Sequence, residues 1–107
     1  MEESQRKPVL MLCTAPPEEA MSIAEELVSQ GLVACVNLQD VRSVYLWNGE
    51  LCRDPELLLI IKTFHDRIQA VSEKIRTLHS YEIPEIIALP IIGGYENYFS
   101  WMRDVVR

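Results

Sequence analysis

Basic residues are scarce in this chain of 107 residues and nowhere cluster: ten Lys and Arg stand against sixteen Asp and Glu, for a formal net charge of −6. Arg6 and Lys7, Arg42, Arg53, Lys62, Arg67, Lys74 and Arg76, Arg103 and Arg107 are scattered, so nothing concentrates the positive potential that neutralising a phosphate backbone requires. Nucleic acid is therefore not an expected partner. Cysteine is also sparse. Cys13, Cys35 and Cys52 are odd in number, widely spaced and without a Cys-x-x-Cys pair, which argues against a disulfide framework or a standalone zinc knuckle and leaves free thiols as the default. No apolar run approaches the roughly 18 residues needed to span a membrane, and the polar opening Met1 to Lys7 lacks the apolar core of a secretory signal. No membrane insertion and a cytoplasmic location are expected. Glycine is rare too, and Gly93-Gly94 lacks the surrounding motif of a phosphate-cradling loop.

What is abundant is apolar surface, at 49% of residues. That suits one domain able to bury a core without staples, expected over residues 8–107 with residues 1–7 as a disordered tail. Pro8 to Thr14 is a short apolar run ending at Pro16-Pro17, as for a buried strand. The prolines and acidic Glu18 and Glu19 then start a helix, with Ala20, Ile23, Ala24, Leu27 and Val28 on one face and Gly31 as its C-terminal stop. Leu32 to Trp47 and Glu50 to Thr63 read as strands joined by Asn48-Gly49, the two-residue loop that best matches strand twist. That loop sets Cys52 opposite Tyr45. Pro55 and the polar stretch Asn37 to Asp40 predict bends or bulges, while Leu57 to Ile61 predicts a central strand covered on both faces. Ile68, Val71, Ile75 and Leu78 predict a second helix, Glu85 to Ile91 a fourth strand, and Tyr98, Trp101, Met102 and Val105 a closing helix packed through Trp101.

The long hairpin carries the strongest inference. At about 3.3 Å per residue its first arm would reach about 50 Å, whereas a compact domain of about 100 residues, with a radius of gyration near 13 Å, is only about 34 Å across. Its outer part should project, carrying Val41, Val44, Tyr45, Leu46, Trp47 and Leu51. A contiguous apolar patch of that kind calls for a cover, most simply neighbouring copies. The alternative is a hairpin bulged back onto its own domain.

The order βαββαβ with a trailing helix is that of an α+β, ferredoxin-like sandwich, here with a C-terminal helix and a long projecting hairpin. Its antiparallel sheet has the order fourth, first, third, second, with both helices on one face. Cys13-Thr14 at the end of the first strand then lies beside His79 to Glu85, which lead into the fourth.

At this level of detail the chain resembles a known family. The carriers are Leu12-Cys13-Thr14-Ala15-Pro16, Ala34-Cys35-Val36-Asn37, Ser43-x-Tyr45-x-Trp47-x-Gly49, Lys62-Thr63, His79-x-Tyr81-Glu82-x-Pro84-Glu85-Ile86 and Ser100-Trp101. They are similar to CutA, the divalent-cation tolerance proteins, from about Val9 to Arg107. The resemblance implies a tight homotrimer, similar in architecture to the PII signalling proteins, that binds a divalent metal, chiefly copper. It implies Cys13 and His79 as the metal ligands. Some relatives carry two adjacent histidines there, whereas Leu78 precedes His79 in this chain and Ser80 stands where proline is usual.

A thiolate and an imidazole favour copper or zinc over magnesium or calcium. A closed zinc site normally takes four ligands, so Glu82, Glu85 or a second subunit would have to contribute. Each residue also has a plainer reading: Cys13 as a small buried hydrophobe at a strand end, His79 as a loop residue satisfied by backbone, and His65 as a helix-start or surface group. Cys35 and Cys52 read as packing residues. Tyr81, Glu82 and Glu85 are placed to line a cleft between subunits, and Tyr45 and Trp47 to anchor the trimer interface. The expected function is a non-enzymatic, copper-binding homotrimer in metal tolerance. The alternative is a PII-like signalling or anchoring module that takes a small ligand or protein partner in its intersubunit clefts. An acyl-phosphate hydrolase on this fold would need an anion cradle, and Thr14 to Glu19 supplies acid instead.

Overall fold

A computed structural model describes residues 5–107. Strand β1 (Pro8–Ala15) leads through Pro16 into α1 (Pro17–Ser29), followed by β2 (Cys35–Trp47) and β3 (Glu50–Phe64). A 3-10 turn (His65–Arg67), α2 (Ile68–Leu78), the short β4 (Ile87–Pro90) and α3 (Glu96–Val105) complete the chain. The sheet order is β2-β3-β1-β4 with every pairing antiparallel, which is the expected ferredoxin-like arrangement.

Local chemistry explains the element ends. Pro16, extended at φ −55° and ψ 143°, precedes Pro17 at the first helical position of α1, where a missing N–H costs nothing. The helix closes through Gly31, whose N–H donates to Val28 O at 3.0 Å while Leu32 N–H donates to Leu27 O at 3.2 Å. That is a Schellman stop, and it needs the positive φ of 71° that Gly31 adopts. At the hairpin tip Asn48 and Gly49 have φ of 53° and 79°, the paired left-handed residues of a type I′ turn.

Register follows from that turn. Trp47 pairs with Glu50, Tyr45 with Cys52 as expected, and the ladder runs without interruption to Cys35 opposite Lys62. The bulges expected near Pro55 and Asn37 to Asp40 do not occur. With Trp47–Glu50 as the hydrogen-bonded pair, bonded and non-bonded pairs alternate, and Arg42–Pro55 falls on a non-bonded one. The nitrogen of Pro55 thus points away from β2, and β1 reaches only to Leu57, so no ladder bond is lost.

Because β1 stops there, the outer parts of β2 and β3 continue as a two-stranded ribbon, and the chain measures 47 × 25 × 21 Å. The hairpin does not fold back. On the sheet face under α1 and α2, Val9, Met11, Cys13, Ala15, Leu59 and Ile61 are buried with Ile23, Leu27, Val71 and Ile75. The opposite face departs from expectation: Leu10, Leu12, Leu58 and Ile60 are only half-buried, so the chain covers just one side of its central strand. α3 closes a separate cluster, placing Met102 and Val106 with Phe64 and Ala34. Trp101 does not pack that helix down. It is 43% exposed and lies beside Tyr98 with ring centroids 5.4 Å apart, because the helical turn gives Met102 the inward position. Of the expected tail, residues 1–4 lie outside the described residues, while Arg6 is held by Asp66 at 3.0 Å and lies over the ring of Phe64.

Candidate functional site

The end of β1, the base of the ribbon and the segment from His79 to Glu85 meet at one place. α2 terminates at His79, whose own N–H still donates to Ile75 O while its backbone turns extended. This sends the imidazole inward, leaving the residue 8% exposed. Its Nε2 lies 2.7 Å from Thr14 O, and Tyr81 N–H donates to its Nδ1 at 3.1 Å. That pattern assigns the ring proton to Nε2 and uses both nitrogens. Glu19 Oε1 lies 3.5 Å from Nδ1 and accepts both the N–H and the hydroxyl of Ser80, at 2.9 and 3.0 Å.

Cys13 is fully buried under the helices, with its Sγ 3.6 Å from Thr14 O. Burial pushes its thiol up from 9.0 to about 12, and the carboxylates of Glu85, Glu56 and Glu19 add to the shift. The thiolate, which is the form that binds metal, is thus disfavoured.

The other sheet face carries a different group of residues. By the pleat and register, Thr14, Ser43, Tyr45, Trp47 and Glu56 all point away from α1 and α2, and the segment carrying Tyr81 to Glu85 borders them. Tyr81 donates its hydroxyl to Glu56 Oε2 at 2.8 Å, and Tyr45 donates to Asp54. Both phenols are raised: Tyr45 to about 12, chiefly through its hydrogen bond to Asp54, and Tyr81 through burial first and then Glu56. They divide a groove. A cavity of about 430 Å³ lies toward Thr14, Glu56 and Glu85, and one of about 340 Å³ toward Trp47, Glu82 and Ile83.

Residues 9–105 match the family model described as CutA1 divalent ion tolerance protein. The chain belongs to this family. It is 43% identical over 97 residues to the divalent-cation tolerance protein CutA of Thermus thermophilus, covering 89% of this chain and 94% of that one. It is 39% identical to the chloroplastic CutA of Arabidopsis thaliana across the whole chain, which spans 61% of that relative's length. Among solved structures it superposes on the PII-like protein CutA from Nostoc sp. PCC 7120 in apo form with a TM-score of 0.88 at 33% identity, covering 92% of this chain and 97% of that one.

A divalent cation stands in the family's name, but the expected ligand pair does not fit one as folded. Both nitrogens of His79 are engaged, Cys13 is a buried thiol, and among the described residues no three His, Cys, Asp or Glu side chains converge in a way that would hold a metal ion. Tyr81, Glu82 and Glu85 do line the groove, together with Tyr45 and Trp47. The sequence reading missed Glu19, Asp54 and Glu56. For Glu56 a signal existed: the two-residue loop sets it opposite Val41, and parity then places it on the face of Tyr45. His65 is exposed in the 3-10 turn.

Proposed function

We propose that this member of the CutA family is a non-enzymatic cytoplasmic homotrimer that contributes to tolerance of divalent cations, copper foremost, and presents clefts between its subunits. The observation that carries the assembly is the bare ribbon: Val44, Leu46 and Leu51 are 66%, 72% and 51% exposed and neighbour one another across the strands. A monomer would leave this patch and the half-buried open sheet face in water, a cost that copies of the chain remove. Light scattering at low micromolar concentration is expected to give a species near three times 12.3 kDa, and a monomer would overturn the assembly.

A thiol and an imidazole favour copper or zinc, and copper is the metal that the family resemblance implies, so Cys13 and His79 are the residues to test despite their present bonding. Titration with copper under reducing conditions compares wild type with Cys13→Ala and His79→Gln, each checked for native circular dichroism. Equal binding by all three would remove this pair as the site. A PII-like module with a ligand in its cleft is the second reading, favoured by the groove between Tyr45 and Tyr81. A thermal-shift screen distinguishes the two, because a ligand for the cleft stabilises the protein and should do so without copper.

A further inference from the structure

Glu56 is the anomaly of the groove. It is 4% exposed, lines the larger cavity, and takes a hydrogen bond from the Tyr81 hydroxyl, which uses one of its lone pairs. None of the ion pairs among the described residues reaches Glu56, Asp54 or Glu85. A carboxylate withdrawn from water normally has a countercharge, and here the side chains beside the cavity add negative charge instead. The walls are aromatic. Tyr45 and Tyr81 border both parts of the groove, and Trp47 lines only the smaller part. Carboxylates that do not converge as a metal-ligand set, combined with ring faces, suit a cation that is itself alkylated and weakly hydrated.

We propose that the groove between the ribbon and the segment Tyr81 to Glu85 binds a small organic ammonium group, with Glu56 supplying the opposing charge and Tyr45 and Tyr81 the ring faces. This deepens the cleft reading above and rests on it for the groove's place between copies, but every wall named comes from one chain. The volume of about 430 Å³ lies within the range of ordinary small-molecule sites. The bound charge comes from a free amine; a Lys or Arg of a neighbouring copy is the competing source, and the measurement separates the two.

Isothermal titration with choline, and with its uncharged isostere 3,3-dimethyl-1-butanol, tests the site on the full-length protein. Saturable heat with choline and none with the isostere is expected. Glu56→Gln should weaken choline binding by at least about tenfold, the change that each 1.4 kcal/mol brings. Tyr81→Phe should retain binding and Tyr81→Leu lose it. No saturable heat with choline, equal binding of the isostere, or unchanged binding by Glu56→Gln would each overturn the proposal. Absent choline binding in a wild-type trimer that Glu56→Gln dissociates would overturn it in favour of a neighbouring copy's cation. Light scattering on the same samples reads the assembly independently, so a failed trimer and a failed ammonium site are told apart.

Discussion

Thr14 receives the Nε2–H of His79 at 2.7 Å, and Tyr81 gives its N–H to Nδ1 at 3.1 Å, so this imidazole fastens the end of β1 to the segment bordering the groove. Removing it leaves the part-buried Thr14 carbonyl with only the Cys13 thiol at 3.6 Å and the Tyr81 amide without its partner. His79→Ala should therefore destabilise the protein by roughly 1–3 kcal/mol, the usual cost of leaving a hydrogen-bonding group unsatisfied, read as a lower urea midpoint at constant slope. A ring serving only as a metal ligand would show no such loss without metal. Cys13 makes a separate prediction about pH. Its folded-state value, about 12, lies above the ordinary 9.0, so the folded state holds the proton more tightly than the unfolded chain. The resulting stability is complete below about 9 and is lost as pH rises toward about 12. Urea midpoints for wild type should fall across that window more steeply than those for Cys13→Ala. Parallel curves would show that the thiol does not contribute.

At the scale of elements, much of the fold was legible because periodicity and turn chemistry agree with the final structure. Asn48-Gly49 set the register of the entire ribbon, Pro16-Pro17 and Gly31 bracketed α1, and Ile68, Val71 and Ile75 marked the inner face of α2. What escaped was what depends on the third dimension. Pro55 announces a bulge in sequence, yet the phase of the ladder makes its missing N–H harmless. Leu57 to Ile61 reads as covered twice, but alternate residues of that run meet helices on one side only. Trp101 outweighs Met102 in bulk and so reads as the anchor of α3, whereas the helical turn points Met102 inward. The site was half legible for the same reason: strand order brought Cys13 and Thr14 to His79, but sequence could not disclose that Thr14 O occupies the imidazole. The ribbon itself makes the element-scale prediction. Val44, Leu46 and Leu51 form one bare patch, so Leu46→Lys should yield a species smaller than the wild-type oligomer by light scattering. Its far-UV circular dichroism should not change, because Leu46 packs on nothing within its own subunit that the fold requires. An unchanged mass would place the contact between copies elsewhere.

For the whole molecule, opposing contributions would set how firmly copies of the proposed assembly hold together. Each chain carries a formal net charge of −6, so assembling like-charged subunits costs electrostatic work that rises with the number of copies. The surface available for contact is apolar at the ribbon and half-buried across the open sheet face, and burial of such surface is insensitive to screening by added salt. The balance fixes a sign. Raising ionic strength from about 0.01 M to about 0.1 M shortens the Debye length from about 30 Å to about 10 Å, which weakens repulsion between subunits and leaves the apolar contribution in place. Association should therefore tighten with salt: serial dilution followed by mass photometry should show dissociation at lower protein concentration in the saltier buffer. An interface held mainly by ion pairs between copies would respond in the opposite direction, loosening as the same screening reached its charges. If dissociation moves to higher protein concentration with added salt, the apolar ribbon is not what joins the subunits. The bare patch at Val44, Leu46 and Leu51 would then need a different partner.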